Sequence, residues 1–167
     1  MLESATLELI APDADATLRL GAHIARVLTS ASAAPLVIGL TGELGAGKTT
    51  LVRGILRALG VAGTVRSPTF TLLENYSIPP LEISHLDLYR VQSPLEIEAL
   101  GIRELLEPAR VFLIEWPGRA AWALPAPDLD IELSVADPGR SIVIHARSPA
   151  GGAVLERLKG ALAAREL

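Results

Sequence analysis

The apolar run "PLVIGLT" passes directly into "GELGAGKTT" and then into "LVRGILRALG", so a strand-like run, a glycine-rich turn and an amphipathic segment follow one another without a spacer. Gly42, Gly47, Lys48 and Thr49 complete the pattern G-x-x-x-x-G-K-[ST] in the strand, loop and helix setting that the pattern requires. The chemistry behind it is specific. Backbone N–H groups must converge on a β-phosphate, and a Cβ at the tightest points either blocks that approach or forbids the dihedrals; Gly42, Gly45 and Gly47 remove it. The helix that begins there adds unsatisfied N–H groups and the positive end of its dipole. Lys48 reaches the β- and γ-phosphates as a mobile point charge, and Thr49 offers a hydroxyl to Mg²⁺.

Around this loop the chain alternates strand-like and helix-like segments, the pattern of an α/β protein. "ATLELI" reads as a short strand, and "PDADATLRLGAHIARVL" as a helix with Asp13 at its N-cap and Leu18, Ala22, Ala25 and Leu28 on one stripe. "PLVIGL" has the continuous apolar character of a strand buried on both faces. The helix "KTTLVRGILRALG" stops at Gly60. "TFTLLENYSI" and "LEISHLDLY" read as strands joined across Pro79 and Pro80. Ser93, Pro94 and Glu96 mark a helix start with a capping box, and "IRELLE" reads as a second short helix ended by Pro108. "RVFLIEWP" is a further buried strand; "LDIELSV" and "SIVIHAR" flank the turn "ADPGR" as a β-hairpin; "AVLERLKGALAAREL" reads as a C-terminal helix.

A nucleotide held with Mg²⁺ also calls for carboxylate oxygen, directly or through water. Two residues compete for it. Glu115 ends the strand "VFLI" and emerges beside the phosphates if that strand lies parallel and adjacent to "VIGL". Asp87 ends the other candidate strand, with His85 and Tyr89 on its face by period-two alternation. Either carboxylate can instead cap a helix or pair with Arg90 or Arg103. In "RSPTFT", the hydroxyls of Ser67, Thr69 and Thr71 stand where a γ-phosphate-sensing segment follows the loop helix in many such proteins, or simply form a polar turn. Trp116 walls the pocket, lies at a partner surface or belongs to the core. His85 has no second histidine or carboxylate at metal-ligand spacing and reads as a hydrogen-bonded structural histidine.

At 167 residues the chain suits one compact domain spanning 1–167. Aromatic residues make up only 4%, so a core must be built from Ala, Leu, Val and Ile. The net charge of −4 does not supply the basic surface of a protein that holds nucleic acid unaided. With no cysteine, disulfides and Cys-based zinc sites are excluded. No apolar stretch approaches the roughly 20 residues of a membrane span and the N-terminus lacks a leader pattern, so a cytoplasmic protein is expected.

Taken in order and at these spacings, "GELGAGKTT", "SPTFTLLENY", "HLDLYR" and "EWP" resemble the TsaE (YjeE) family, bacterial ATPases required for threonylcarbamoyladenosine modification of tRNA. The resemblance extends to "DADATLRLG" near the start and to the "GR" of the final hairpin. It implies a P-loop NTPase fold: a mixed, mainly parallel sheet with helices on both faces and a C-terminal β-hairpin. It implies ATP and Mg²⁺ held by Leu44, Gly45, Ala46, Gly47, Lys48 and Thr49, with Thr50 next to them, Thr49 and Glu115 near the metal, and Asp87 close by. Ala14 and Arg140 fall where further nucleotide contacts are expected. Lys48, Asp87 and Glu115 are the implied catalytic groups of an ATP hydrolase that is weak alone and turns over a complex of TsaD and TsaB, touching tRNA only through that complex. The loop equally serves a small-molecule kinase or a nonhydrolytic, nucleotide-dependent binding module. Arginines for a kinase lid are scattered over Arg53, Arg57, Arg66, Arg90 and Arg103.

Overall fold

The computed structural model describes residues 5–30 and 35–164. Seven strands form one sheet. In chain order the elements are β1 (Thr6–Ala11), α1 (Ala14–Leu28), β2 (Leu36–Thr41), α2 (Lys48–Ala58), β3 (Leu73–Ile78), β4 (Leu81–Asp87), α3 (Pro94–Ala99), β5 (Arg110–Glu115), β6 (Leu129–Val135), β7 (Arg140–Ala146) and α4 (Pro149–Ala163). The spatial order is β1-β7-β6-β2-β5-β4-β3. Its centre, β6-β2-β5-β4, is parallel, and antiparallel partners close both edges. This is the P-loop type of α/β fold anticipated above, hairpin included.

Burial follows from the side-chain parity of the strands. Ile38 and Leu40 of β2, Ile83 of β4 and Val111 and Leu113 of β5 pack with α1, α2 and α4 on one face. Val37, Leu86, Phe112 and Ile114 point the other way, onto Ile97 of α3 and the segment around Ile102. Since β2 and β5 are covered on both sides they carry unbroken apolar runs rather than alternation. Helix α1 crosses α2 at unusually close range: a Cβ on Gly21 would stand 2.7 Å from the Ile55 backbone nitrogen, and one on Gly54 would stand 2.5 Å from the Leu18 carbonyl oxygen. Two glycines at the crossing let the backbones meet and set α1 directly against the helix that carries Lys48.

Helix ends match their sequence signals. Asp13 Oδ1 accepts from the Ala16 amide at 2.7 Å, and Glu96 Oε1 accepts from the Ser93 amide at 2.9 Å. Gly60, with φ of 103°, follows the last turn of α2. Four expectations are corrected. "IRELLE" is a chain of tight turns with i to i+3 bonds from Glu104 to Gly101, Leu105 to Ile102 and Leu106 to Arg103. Six residues between a left-handed Gly101 and Pro108 are too few to repay helix nucleation. The strand expected from Thr69 begins only at Leu73, because Leu72, at φ 64°, closes a turn onto Pro68. On α1, Leu18 and Ala22 are half-buried, while Ala16, Leu20, Ile24 and Val27 are buried as well, since α1 is wedged between α2 and α4. Helix α4 starts earlier than expected, at Pro149 behind the N-cap Ser148; residues 165–167 of the expected helix lie outside the described residues.

Candidate active site

Strand register brings three distant segments to one sheet edge. Leu40 of β2 is paired with Glu115 of β5, and Glu115 with Asp87 of β4, so both carboxylates stand at the C-terminal ends of adjacent parallel strands beside the glycine-rich loop. This is where ligands sit in open α/β sheets. The same edge receives the start of β7 and the end of β1, because Arg140 is paired with both Ala11 and Val135.

The loop's backbone is as the glycines demand. Gly42, Gly45 and Gly47 have φ of 142°, 79° and 107°, and a Cβ on Gly42 would lie 2.2 Å from the Leu133 carbonyl oxygen. Gly47 is the N-cap of α2, so no side chain caps that helix, and its first turn contains no acidic residue. Its leading N–H groups have no partner within the helix, and its dipole is not offset by a nearby carboxylate of the first turn: the features of an anion site. Arg140 braces the loop from outside, donating from Nε to the Ala46 carbonyl at 2.9 Å and from Nη2 to the Gly45 carbonyl at 3.1 Å.

Lys48 is buried at 5% exposure, with Nζ donating to the carbonyls of Gly42 at 2.6 Å and Glu43 at 2.9 Å and lying 4.2 Å from the centre of the Trp116 ring. Burial draws its ammonium pKa below 10.5, while Glu115, Asp87 and Glu43 pull the other way. Thr49 Oγ1 donates to Glu115, at 3.0 Å from Oε1 and 2.9 Å from Oε2. His85 Nε2 lies 2.8 Å from Glu115 Oε1. Asp87 accepts from the hydroxyls of Ser67 and Thr69 through Oδ2 and from the Tyr89 amide at 3.0 Å through Oδ1. Strand β4 ends at Asp87, so Tyr89 lies beyond the strand expected to reach it, yet it lines the same cleft as Asp87.

Leu44, Gly45, Gly47, Lys48, Thr49, Thr50, Asp87, Glu115 and Trp116 line one cleft of about 400 Å³ together with Ser67 and Thr69. That size falls in the range of small-ligand sites, roughly 300 to 1,000 Å³. Ala14 and Arg140 do not reach this cleft. They line a recess of about 120 Å³ on the other side of the loop with Asp13 and Thr17, and Gly45, Gly47 and Thr50 belong to both walls. Ala46 is fully buried and contributes only backbone; Thr71 lines neither space. Trp116 walls the cleft, its ring 5.0 Å from that of Tyr89. Tyr89 and Arg90 also line it and are not among the candidate site residues above, although they stand in the same motif as Asp87, separated from it by Leu88.

The family model for threonylcarbamoyl adenosine biosynthesis protein TsaE matches residues 11–142. The tRNA threonylcarbamoyladenosine biosynthesis protein TsaE of Haemophilus influenzae is 39% identical over 141 residues, covering 84% of this chain and 89% of that protein. Its counterpart from Bacillus subtilis is 40% identical over 121 residues, covering 71% and 75%. The crystal structure of Bacillus subtilis YdiB superposes with a TM-score of 0.77 at 25% identity, covering 96% of this chain and 98% of that one.

Proposed function

As the chain belongs to the threonylcarbamoyl adenosine biosynthesis protein TsaE family, we propose that it is an ATPase that binds Mg-ATP in the cleft at the glycine-rich loop and hydrolyses it to turn over a complex of TsaD and TsaB. Hydrolysis is slow in the isolated chain and tRNA is met only within that complex, in keeping with a net charge of −4. Among the described residues no helix is long and apolar enough to cross a membrane. The observation that carries the reading is the convergence of Lys48, Thr49, Asp87 and Glu115 on one cleft beside a helix N-terminus without a side-chain cap.

The residues present fit the groups the reading needs. The loop lacks a Cβ at Gly42, Gly45 and Gly47, and the oxygens at its end are a hydroxyl and two carboxylates, the hard oxygen set that suits Mg²⁺. Thr49 and Glu115 would hold the cation, with Asp87 nearby. A cation held by these oxygens would supply neutralisation of negative charge on the phosphoryl group. Lys48 would exchange the carbonyls of Gly42 and Glu43 for phosphoryl oxygens and stabilise charge there, aided by the amides of α2's first turn. Glu115 or Asp87 would orient the attacking water. The recess with Ala14 and Arg140 would receive the remainder of the nucleotide.

Multi-turnover tRNA modification, reconstituted with TsaD and TsaB, tests the reading. Repeated turnover should require both this chain and hydrolysable ATP. Equal multi-turnover with a nonhydrolysable analogue would reduce the chain to a binding module, and a labelled product other than phosphate would make it a kinase.

A pH dependence follows from Lys48. Its pKa is lowered in the free chain, and a phosphate tail beside it raises the pKa again. Binding therefore takes up a proton between these two values, and affinity falls as pH rises through the depressed Lys48 pKa; below that window Lys48 is already charged and adds no uptake. Calorimetry of Mg-ATP binding at alkaline pH, in two buffers of different protonation enthalpy, should reveal the uptake in the native chain and not in Lys48→Ala. No Lys48-dependent uptake anywhere in the alkaline range would contradict a lysine placed against phosphate.

A further inference from the structure

We propose that His85 is a positioning residue for Glu115, fixing which of the two carboxylate oxygens is free for the cation; this rests on the reading of the cleft given above. A glutamate's terminal torsion is broad and nearly two-fold, so a carboxylate at a strand end rolls easily unless something distinguishes its oxygens. Thr49 does not: its hydroxyl lies 3.0 Å from Oε1 and 2.9 Å from Oε2. His85 does, because its Nε2 stands 2.8 Å from Oε1 and no bond links it to Oε2. The histidine comes from below the site, on β4 opposite Leu113, two residues before Asp87, with no exposed surface.

The ring's other nitrogen supports the assignment. Nδ1 is buried without a hydrogen-bond partner among the described residues. A histidine kept only to fill space between Ile83 and Leu113 would leave both nitrogens idle, where an aliphatic side chain packs without that cost. Here one nitrogen is spent on Glu115 and the other on nothing. With no acceptor beside Nδ1 and a carboxylate beside Nε2, the proton sits on Nε2 and is donated to Oε1. Glu115 is thereby held with Oε1 toward the core, and Oε2 remains for the position next to Thr49. Outer partners that orient a metal ligand in this way are worth roughly 10- to 100-fold in metal affinity or activity.

The decisive pair is His85→Gln and His85→Met, two unbranched side chains of similar length of which only the first donates a hydrogen bond. ATP affinity is measured by calorimetry with and without Mg²⁺ in each variant and in the unaltered chain, alongside thermal unfolding. His85→Gln should keep most of the magnesium enhancement, whereas His85→Met should lose about tenfold or more of it while affinity without Mg²⁺ stays unchanged. Equal enhancement in the two variants, whether retained or lost, overturns the proposal. Nitrogen-15 spectroscopy of the unaltered chain decides independently of variant folding: protonated Nε2 on His85 is expected, and a bare Nε2 with protonated Nδ1 refutes the hydrogen bond. An unaltered chain in which Mg²⁺ has no effect on ATP binding counts against the proposed function, and the tautomer then decides the hydrogen bond alone.

Discussion

Lys48→Ala should lower partner-stimulated ATP turnover by about 10²- to 10³-fold, or roughly 2.7 to 4 kcal/mol of transition-state stabilisation, the size expected for one preorganised donor aimed at developing charge. Thermal stability should hardly change. The lysine is buried under Trp116, and its charge is disfavoured there by loss of water, so its removal relieves a cost as well as deleting two hydrogen bonds. A kinetic collapse with an intact unfolding transition is thus the signature, measured by phosphate release and calorimetric melting of one sample. Turnover within a fewfold of the unaltered chain would show that the loop does not serve hydrolysis.

Glu115→Gln should separate binding from chemistry. Its carboxylate accepts from Thr49 and lies against His85 Nε2, and an amide can meet only one of them with its oxygen. With that oxygen on His85 Nε2, the NH₂ end faces the Thr49 hydroxyl, which turns to accept from it, so the unfolding transition should stay close to that of the unaltered chain. Magnesium-dependent turnover should fall about 10²-fold or more, since both the proposed ligand of the cation and a candidate orienter of water are lost. Without Mg²⁺ the direction reverses: ATP should bind as well or better, because a buried negative charge beside the phosphates has gone. Magnesium enhancement preserved in this variant would move the cation to Asp87, whose hydroxyl partners Ser67 and Thr69 already gather there.

These two residues differ in how plainly the chain announces them. Lys48 is legible because its neighbours are its context: Gly42 to Thr49 is one continuous stretch, and positive φ at three glycines is a local steric matter. The strand before the loop, the caps Asp13 and Ser93 and the stop at Gly60 were equally readable, each from bonds spanning a few residues. Local signals mislead where they conflict. "IRELLE" has helical composition but no room between Gly101 and Pro108, and the β-propensity of "TFTLL" loses to a turn at Leu72 that sets the Ser67 and Thr69 hydroxyls against Asp87.

Glu115 and Asp87 were each recognisable as carboxylates at strand ends, yet nothing in the linear order says that the two strands are neighbours in register, with β2 on the far side. Alternation predicts which face a residue occupies; it does not predict which strand lies alongside or at what offset, because pairing joins segments tens of residues apart. His85 beneath Glu115, and Arg140 on loop carbonyls 94 and 95 residues away, are consequences of that pairing. The amino-acid order by itself therefore determined the glycine-rich loop, whose positive φ values fall at glycines within one continuous stretch. The tertiary structure alone decided the acidic and histidine cluster that completes it, since its distances are set by the sheet and by no contiguous stretch of chain.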